Sequence, residues 1–377
     1  MNLTLHRCRY IISSYRPLKI LEDSNIVIDN GRVVCLGQCY GYRGYDKVDC
    51  KEKVVAPAFG NAHIHLYTIS KAINEQNPYR ALLIAILNMA ANGIAAFQSM
   101  DENYKTVVEA AKSIGLRVRA GPIVKNKKCD EYISIEKLGY RLYTPIISIE
   151  NLLEVDEEVL ESCLELVLNR NIDIQISVSR TIEETLNFKR IKKLFPVEYL
   201  AKKNLLSNKI ILTHINWVSS WELESIEYYR PRVVVCPYSD ALSNINGLPP
   251  LKNLLDKEIV VGVGTDNFEY RYSANILKDI TAIIALYRYS NIYIDVEHVM
   301  NIATQGSYNV MNINAGNIEV GKEADIIVFD IRKFKYGSFI KQSLPFLILY
   351  EGYIDTTIVN GNIVWSIDEL DKYIKIL

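Results

Sequence analysis

Residues 210–236, IILTHINWVSSWELESIEYYRPRVVVC, decide the fold. Ile210–Thr213 is short and apolar and reads as a strand, Ser220–Tyr229 reads as a helix, and Val233–Cys236 is another β-branched run. Strands separated by a helix imply a parallel sheet. The same alternation extends in both directions. Upstream, Ile94–Ser99, Leu116–Ala120, Pro145–Ile149 and Ile172–Val178 read as strands. Tyr104–Ile114 and Glu157–Leu168 read as helices, and Pro196–Ala201 lies in a helical stretch. Downstream, Ile259–Gly264 reads as a strand and Ala274–Tyr287 as a helix. With Val54–Ala58 as the first, the strand candidates suffice for a closed α/β barrel of about eight strands. Active sites of such barrels lie at the C-terminal ends of the strands, so the residues just after each apolar run are the ones to weigh.

The two chain ends read differently. Asn25–Asp29, Arg32–Leu36 and Lys53–Ala56 are short strand runs, with Asn30–Gly31 as a hairpin turn. Ala324–Asp330, Asp355–Val359 and Asn362–Trp365 are runs of the same kind, with Asn360–Gly361 as the second turn. A length of 377 residues suits a large barrel plus a small satellite domain. Lys and Arg number 43 against 44 Asp and Glu, so neither nucleic acid nor a membrane surface is indicated as the main partner. The partner expected is a small-molecule substrate, and a homodimer stays open. The N-terminal residues lack the apolar core of a signal peptide. The uncharged stretch Ala81–Met100 is interrupted by Asn88, Asn92 and Gly93 and reads as a buried helix ending at Gly93, then a strand. A cytoplasmic protein is expected. Its seven cysteines are scattered and read as reduced, buried thiols. Richness in Ile, Tyr, Lys and Asn points to a thermophilic archaeal source, where intracellular disulfides do occur.

Only five histidines exist, and three fall at predicted strand ends. His63 and His65 closely follow the run Val54–Phe59. Residues two apart in an extended segment point to one side, so two imidazoles can converge on one ion. His214 ends the run Ile210–Thr213, and Asp266 ends Ile259–Gly264. Alone, His214 suits a satisfied core histidine and Asp266 a cap or turn residue. Together, nitrogen and oxygen donors at one barrel mouth suit Zn²⁺ with an open position for water. A bound metal lowers the pKa of such a water towards about 7.

At this point the chain resembles the amidohydrolase superfamily. VVAPAFGNAHIHL (Val54–Leu66) is similar to its first-strand signature, and Val197–Ile226 resembles its sixth-strand region. Val233–Asn267 resembles strands seven and eight of the chlorohydrolase and cytosine-deaminase-like branch. GNIEVGKEADIIVFD and TTIVNGNIVW are similar to its C-terminal β-sandwich. The resemblance implies a distorted (β/α)₈ TIM barrel over residues 57–316. It also implies a small β-sandwich domain formed by both chain ends, 1–56 and 317–377. One divalent ion, Zn²⁺, is implied, with His63, His65 and Asp266 as ligands and His214 beside the metal-bound water as a catalytic group. The activity implied is hydrolysis of a non-peptide carbon–nitrogen bond, of deaminase or cyclic-amidase type.

Two departures matter. The family's fifth strand reads H-x-x-E, whereas here it is IDIQISVSR, with Gln175 at the histidine position and Val178 at the glutamate position. Gln175 is expected at the mouth of the barrel facing the metal, as a weak oxygen ligand or a hydrogen-bond partner of a metal-bound water, and valine moves no proton. Glu183 and Glu184 fall on the next helix and read as solvated. No lysine ends strand four, so a bridging carboxylated lysine and a two-metal site are not expected, and the capping loop before Gly93 looks trimmed. Asp266 is favoured as the compensating proton carrier over Asp101. Asp240 reads as ordering its own loop. The alternative is an amidohydrolase-like ligand-binding protein with impaired catalysis.

Overall fold

The computed structural model of the chain describes residues 2–42, 45–125, 129, 138–170, 172–333 and 341–376. Met1 and Leu377, the outer limits of the expected terminal domain, lie outside the described residues, as does 334–340 within it.

The alternating middle folds as read. Among the described residues, nine parallel strands form one curled sheet in the order 261–263, 232–235, 210–214, 173–178, 143–149, 117–120, 94–99, 59–65 and 266–267. The first and last members belong to one chain segment, parted only by Gly264 and Thr265, so the sheet curls back to where it began. The register pairs Gln175 with Ile211 and Val178 with His214. Helices Tyr104–Ile114 and Ser220–Tyr229 match their expected limits, and Glu157–Arg170 runs slightly beyond its own. The helix before Gly93 is Pro78–Ala91, with Asn77 capping its start by accepting from Tyr79 N and Arg80 N. Among the described residues, no helix is long and apolar enough to cross a membrane.

Both chain ends enter a second sheet of eight strands. Lys53–Pro57 from the first end lies antiparallel to Ile326–Asp330 from the other. Both expected hairpin turns form, with left-handed backbone at Asn30 and Gly31 (φ 49° and 81°) and at Asn360 and Gly361 (φ 51° and 74°). Their apolar faces pack Leu3, Leu5, Ile26, Ile28, Ile326 and Ile358 into a core of their own.

One boundary differs. The run from Val54 is not the first strand of the parallel sheet; that strand is Phe59–His65. The chain changes partners between neighbouring residues: Ala58 N donates to Asp325 O, and Phe59 N donates to Gly93 O. The run is apolar on both sides of this crossing, so periodicity could not show it. The cysteine reading is also corrected. Cys35–Cys39 and Cys129–Cys163 are disulfides, and only Cys8, Cys50 and Cys236 are free, all of them buried.

Candidate metal centre

His63, His65, His214 and Asp266 come from three strands that sit apart in sequence and meet at one mouth of the curled sheet. His63 and His65 end the 59–65 strand, and Asp266 pairs beside them, opposite Ile64. His214 closes the 210–214 strand. His214 and Asp266 both have left-handed backbone (φ 75° and 61°), as does Ser179 (φ 53°) just past the 173–178 strand. Such conformations cost on the order of 1–3 kcal/mol each for non-glycine residues and gather at functional sites. Gly264 permits the close approach here: a Cβ on it would lie 2.8 Å from His63 Cβ.

His63 and Asp266 are fully enclosed. His63 Nε2 lies 3.5 Å from Asp266 Oδ1, and Nε2 of His65, whose side chain is a fifth exposed, lies 3.7 Å from the same oxygen. The His63 ring meets those of His65 and His214 edge-on, at 4.9 and 5.7 Å between centroids. One donor atom each from His63, His214 and Asp266 falls within 4.8 Å of the others. His63 Nε2 and Asp266 Oδ1 are buried with no hydrogen-bond partner. Buried polar atoms ordinarily have one, so two orphaned atoms facing each other, of the N and O types that bind divalent ions, fit a metal ion between them.

The electrostatics agree. Burial, with the neighbouring histidines, pushes the His63 imidazole down to about 4 against the opposing pull of Asp266. The ring is therefore neutral at pH 7, the form that ligates metals. Burial works to raise the Asp266 carboxyl, but His63, His214, Arg180 and His65 together hold it well below the usual carboxylate range.

Around this set lie Gln175, expected to face the metal, and residues whose roles differ from the expected ones. Gln175 faces inward, its Nε2 2.6 Å from His63 Nδ1 and 2.9 Å from Thr213 Oγ1. It therefore touches the ring nitrogen of His63 that points away from Asp266, while its Oε1 is buried without a partner. Val178 shares the parity of Ile174 and Ile176 along its strand and packs with them in the large apolar cluster. Asp240 does more than order its own loop: it accepts from Asn216 Nδ2 at 2.9 Å and Arg180 Nε at 2.9 Å, and lies 3.3 Å from His214 Nδ1. Contact at Nδ1 aims the other ring nitrogen of His214 away from Asp240. Asp101 accepts from Leu66 N, Tyr67 N and Ser99 Oγ, and so fastens the chain just after His65. Glu184 is not merely solvated. It closes a capping box with Thr181 and accepts from Arg180 N, whereas Glu183 is exposed.

Sequence reasoning missed Arg180 and Asn61. Arg180 Nη2 donates to Asp266 Oδ2 at 2.7 Å while its Nε serves Asp240. The signal was available, since Arg180 stands just past a strand end, where the other candidates were sought. Asn61 exchanges two hydrogen bonds with Thr265 and ties the first strand to the residue before Asp266.

Comparison with known proteins places this geometry in context. Residues 54–364 match the model of the amidohydrolase family. A 5-methylthioadenosine/S-adenosylhomocysteine deaminase of Pyrococcus horikoshii is 23% identical, over 97% of this chain and 96% of its own. A 5′-deoxyadenosine deaminase of Methanococcus aeolicus is 20% identical, over 92% and 89%. Among solved structures, an adenosine deaminase from Xanthomonas campestris with bound zinc superposes with a TM-score of 0.87 at 17% identity, over 99% of this chain and 96% of that one. An atrazine chlorohydrolase from Arthrobacter aurescens complexed with zinc gives 0.85 at 15%, over 99% and 98%.

Proposed function

The chain belongs to the amidohydrolase family, hydrolases of carbon–nitrogen bonds other than peptide bonds, and from that premise we propose that it is a deaminase-type enzyme acting on a small amino-heterocycle. The observation that carries this reading is the pair of orphaned atoms, His63 Nε2 and Asp266 Oδ1, enclosed beside His65 and His214. His63, His65 and Asp266 would hold one Zn²⁺, with Gln175 supporting His63. The ion would supply a Lewis acid and an activated water. His214, oriented by Asp240, stabilises charge that develops on the substrate. Asp266, kept anionic, is the acceptor for the proton that moves, because Val178 offers none.

The names of the relatives support a nucleoside or related amino-heterocycle as the substrate class. The same reading takes residues 57–316 as a distorted (β/α)₈ barrel and the ends, 1–56 and 317–377, as a small β-sandwich. The return of the parallel sheet to its own starting segment supports the barrel. We propose a cytoplasmic protein of archaeal origin that can pair as a homodimer.

The test is ammonia release from a panel of aminopurine nucleosides and aminopyrimidines by zinc-loaded protein, with Asp266→Asn alongside. Release by the parent and not by the variant is expected. A second reading, a ligand-binding descendant without turnover, is favoured by Gln175 and by Val178 packed in the apolar layer. Saturable binding of the same compounds with no ammonia would select it.

A further inference from the structure

We propose that Arg180 is the resident cation of this site: it holds Asp240 and Asp266 in place when no metal ion is bound, and it weakens metal binding by sharing Asp266 with the ion. The inference rests on the metal-site reading above and extends it to a residue for which the fifth-strand pattern offers no counterpart.

Arg180 is built into the site. Its side chain is only about a quarter exposed, whereas the two carboxylates it bridges are almost wholly buried. Nε meets Asp240 Oδ1 at 2.9 Å and Nη2 meets Asp266 Oδ2 at 2.7 Å. Its main chain is pinned on both sides. The backbone N donates to Glu184 Oε2 at 3.1 Å, and the backbone O accepts from Asn216 Nδ2 at 3.0 Å. The helix Ile182–Lys192 starts at once behind it, through the Thr181–Glu184 capping box. The guanidinium is thus aimed by the start of a helix.

The charge balance gives it a consequence. Two buried carboxylates against one guanidinium leave one formal negative charge. Without Arg180 there would be two, facing the same small space. A guanidinium keeps its proton at any working pH, so this positive charge is permanent. It engages one oxygen of Asp266 and leaves Oδ1, the orphaned one, towards the histidines. Arg180 therefore lets the site stand without an ion while repelling one that enters. Like charges a few ångströms apart in a protein interact strongly enough to change affinity by about tenfold or more.

The experiment compares zinc affinity, by competition with a chromophoric chelator, in the parent, Arg180→Met, Arg180→Gln and Arg180→Lys, and records thermal midpoints with and without zinc. Arg180→Met should bind zinc about tenfold or more tightly than the parent. Its ion-free midpoint should fall, because two buried carboxylates lose the guanidinium that bridges them and keep their other hydrogen bonds, among them those from Asn216 to Asp240 and from Ser239 and Asn267 to Asp266, and zinc should raise that midpoint by more than it raises the parent's. Arg180→Gln should move the same way, and it decides the matter if Arg180→Met does not fold. Arg180→Lys, which keeps the charge, should stay near the parent. A merely structural arginine would lower the midpoint and leave zinc affinity equal or weaker; that result overturns the inference. If the parent binds no zinc and the neutral variants do, the inference stands and the metal-dependent reading of the parent falls. If none of them binds zinc, both fall.

Discussion

Acidification should destabilise the ion-free protein through His63 before most carboxylates respond. In the folded chain its imidazole protonates only near 4, because burial disfavours the charged ring; the ordinary value is 6.5. Between these values the unfolded chain binds a proton at this position and the folded chain does not. Stability contributed by the neutral ring is therefore complete above about pH 6.5 and is lost progressively as the pH falls towards 4. The gap spans about 2.5 units at about 1.4 kcal/mol each, so about 3 kcal/mol is at stake, a large share of a typical folding free energy of about 5–15 kcal/mol. Asp266, held well below its ordinary value of 3.8, stays ionised through this window. Urea unfolding of chelator-treated parent and His63→Asn, at pH 7 and pH 4, isolates the effect. The parent should lose about 3 kcal/mol more than the variant. Equal losses in the two proteins would refute the claim that His63 is enclosed and neutral.

Gln175→His puts an imidazole where an amide now supports His63 and should tighten zinc binding by about tenfold or more, since imidazole suits Zn²⁺ better than a neutral amide; chelator competition measures it, and unchanged affinity counts against the position. His63→Ala and His65→Ala should each lower metal content while the far-ultraviolet circular dichroism stays that of the parent, because catalytic sites contribute less to folding than structural ones. Protein denatured without reductant should show three reactive thiols, those of Cys8, Cys50 and Cys236; seven would contradict both disulfides.

The parallel sheet was legible because strand and helix periods differ and alternate over most of the chain. His63, His65, His214 and Asp266 were legible because barrel chemistry sits just after apolar runs. Other features were not, and each for a physical reason. The crossing at Ala58–Phe59 joins two buried strands with no polar break, so hydrophobic pattern alone carries no boundary. Arg180 stands at a strand end, where candidates are sought, but its enclosure depends on Asp240 and Asp266, which lie far along the chain. Asp240 has the residue type and spacing of a turn aspartate, and only the fold brings Asn216, His214 and Arg180 to it. The Cys129–Cys163 disulfide joins cysteines 34 residues apart whose proximity is set by tertiary structure, so spacing could not reveal it. Val178 occupies the position at which the family carries its glutamate, yet its parity along the strand turns it into the apolar layer.

His63, His65 and Asp266 are proposed to form a site for one divalent ion. Metal analysis of protein produced with supplemented zinc and freed of loosely held ions tests it most directly. About one zinc per chain is expected, with loss of that zinc in Asp266→Asn and the fold intact. Folded parent protein that holds no zinc at saturating concentrations, or that holds it equally well without Asp266, would contradict the claim.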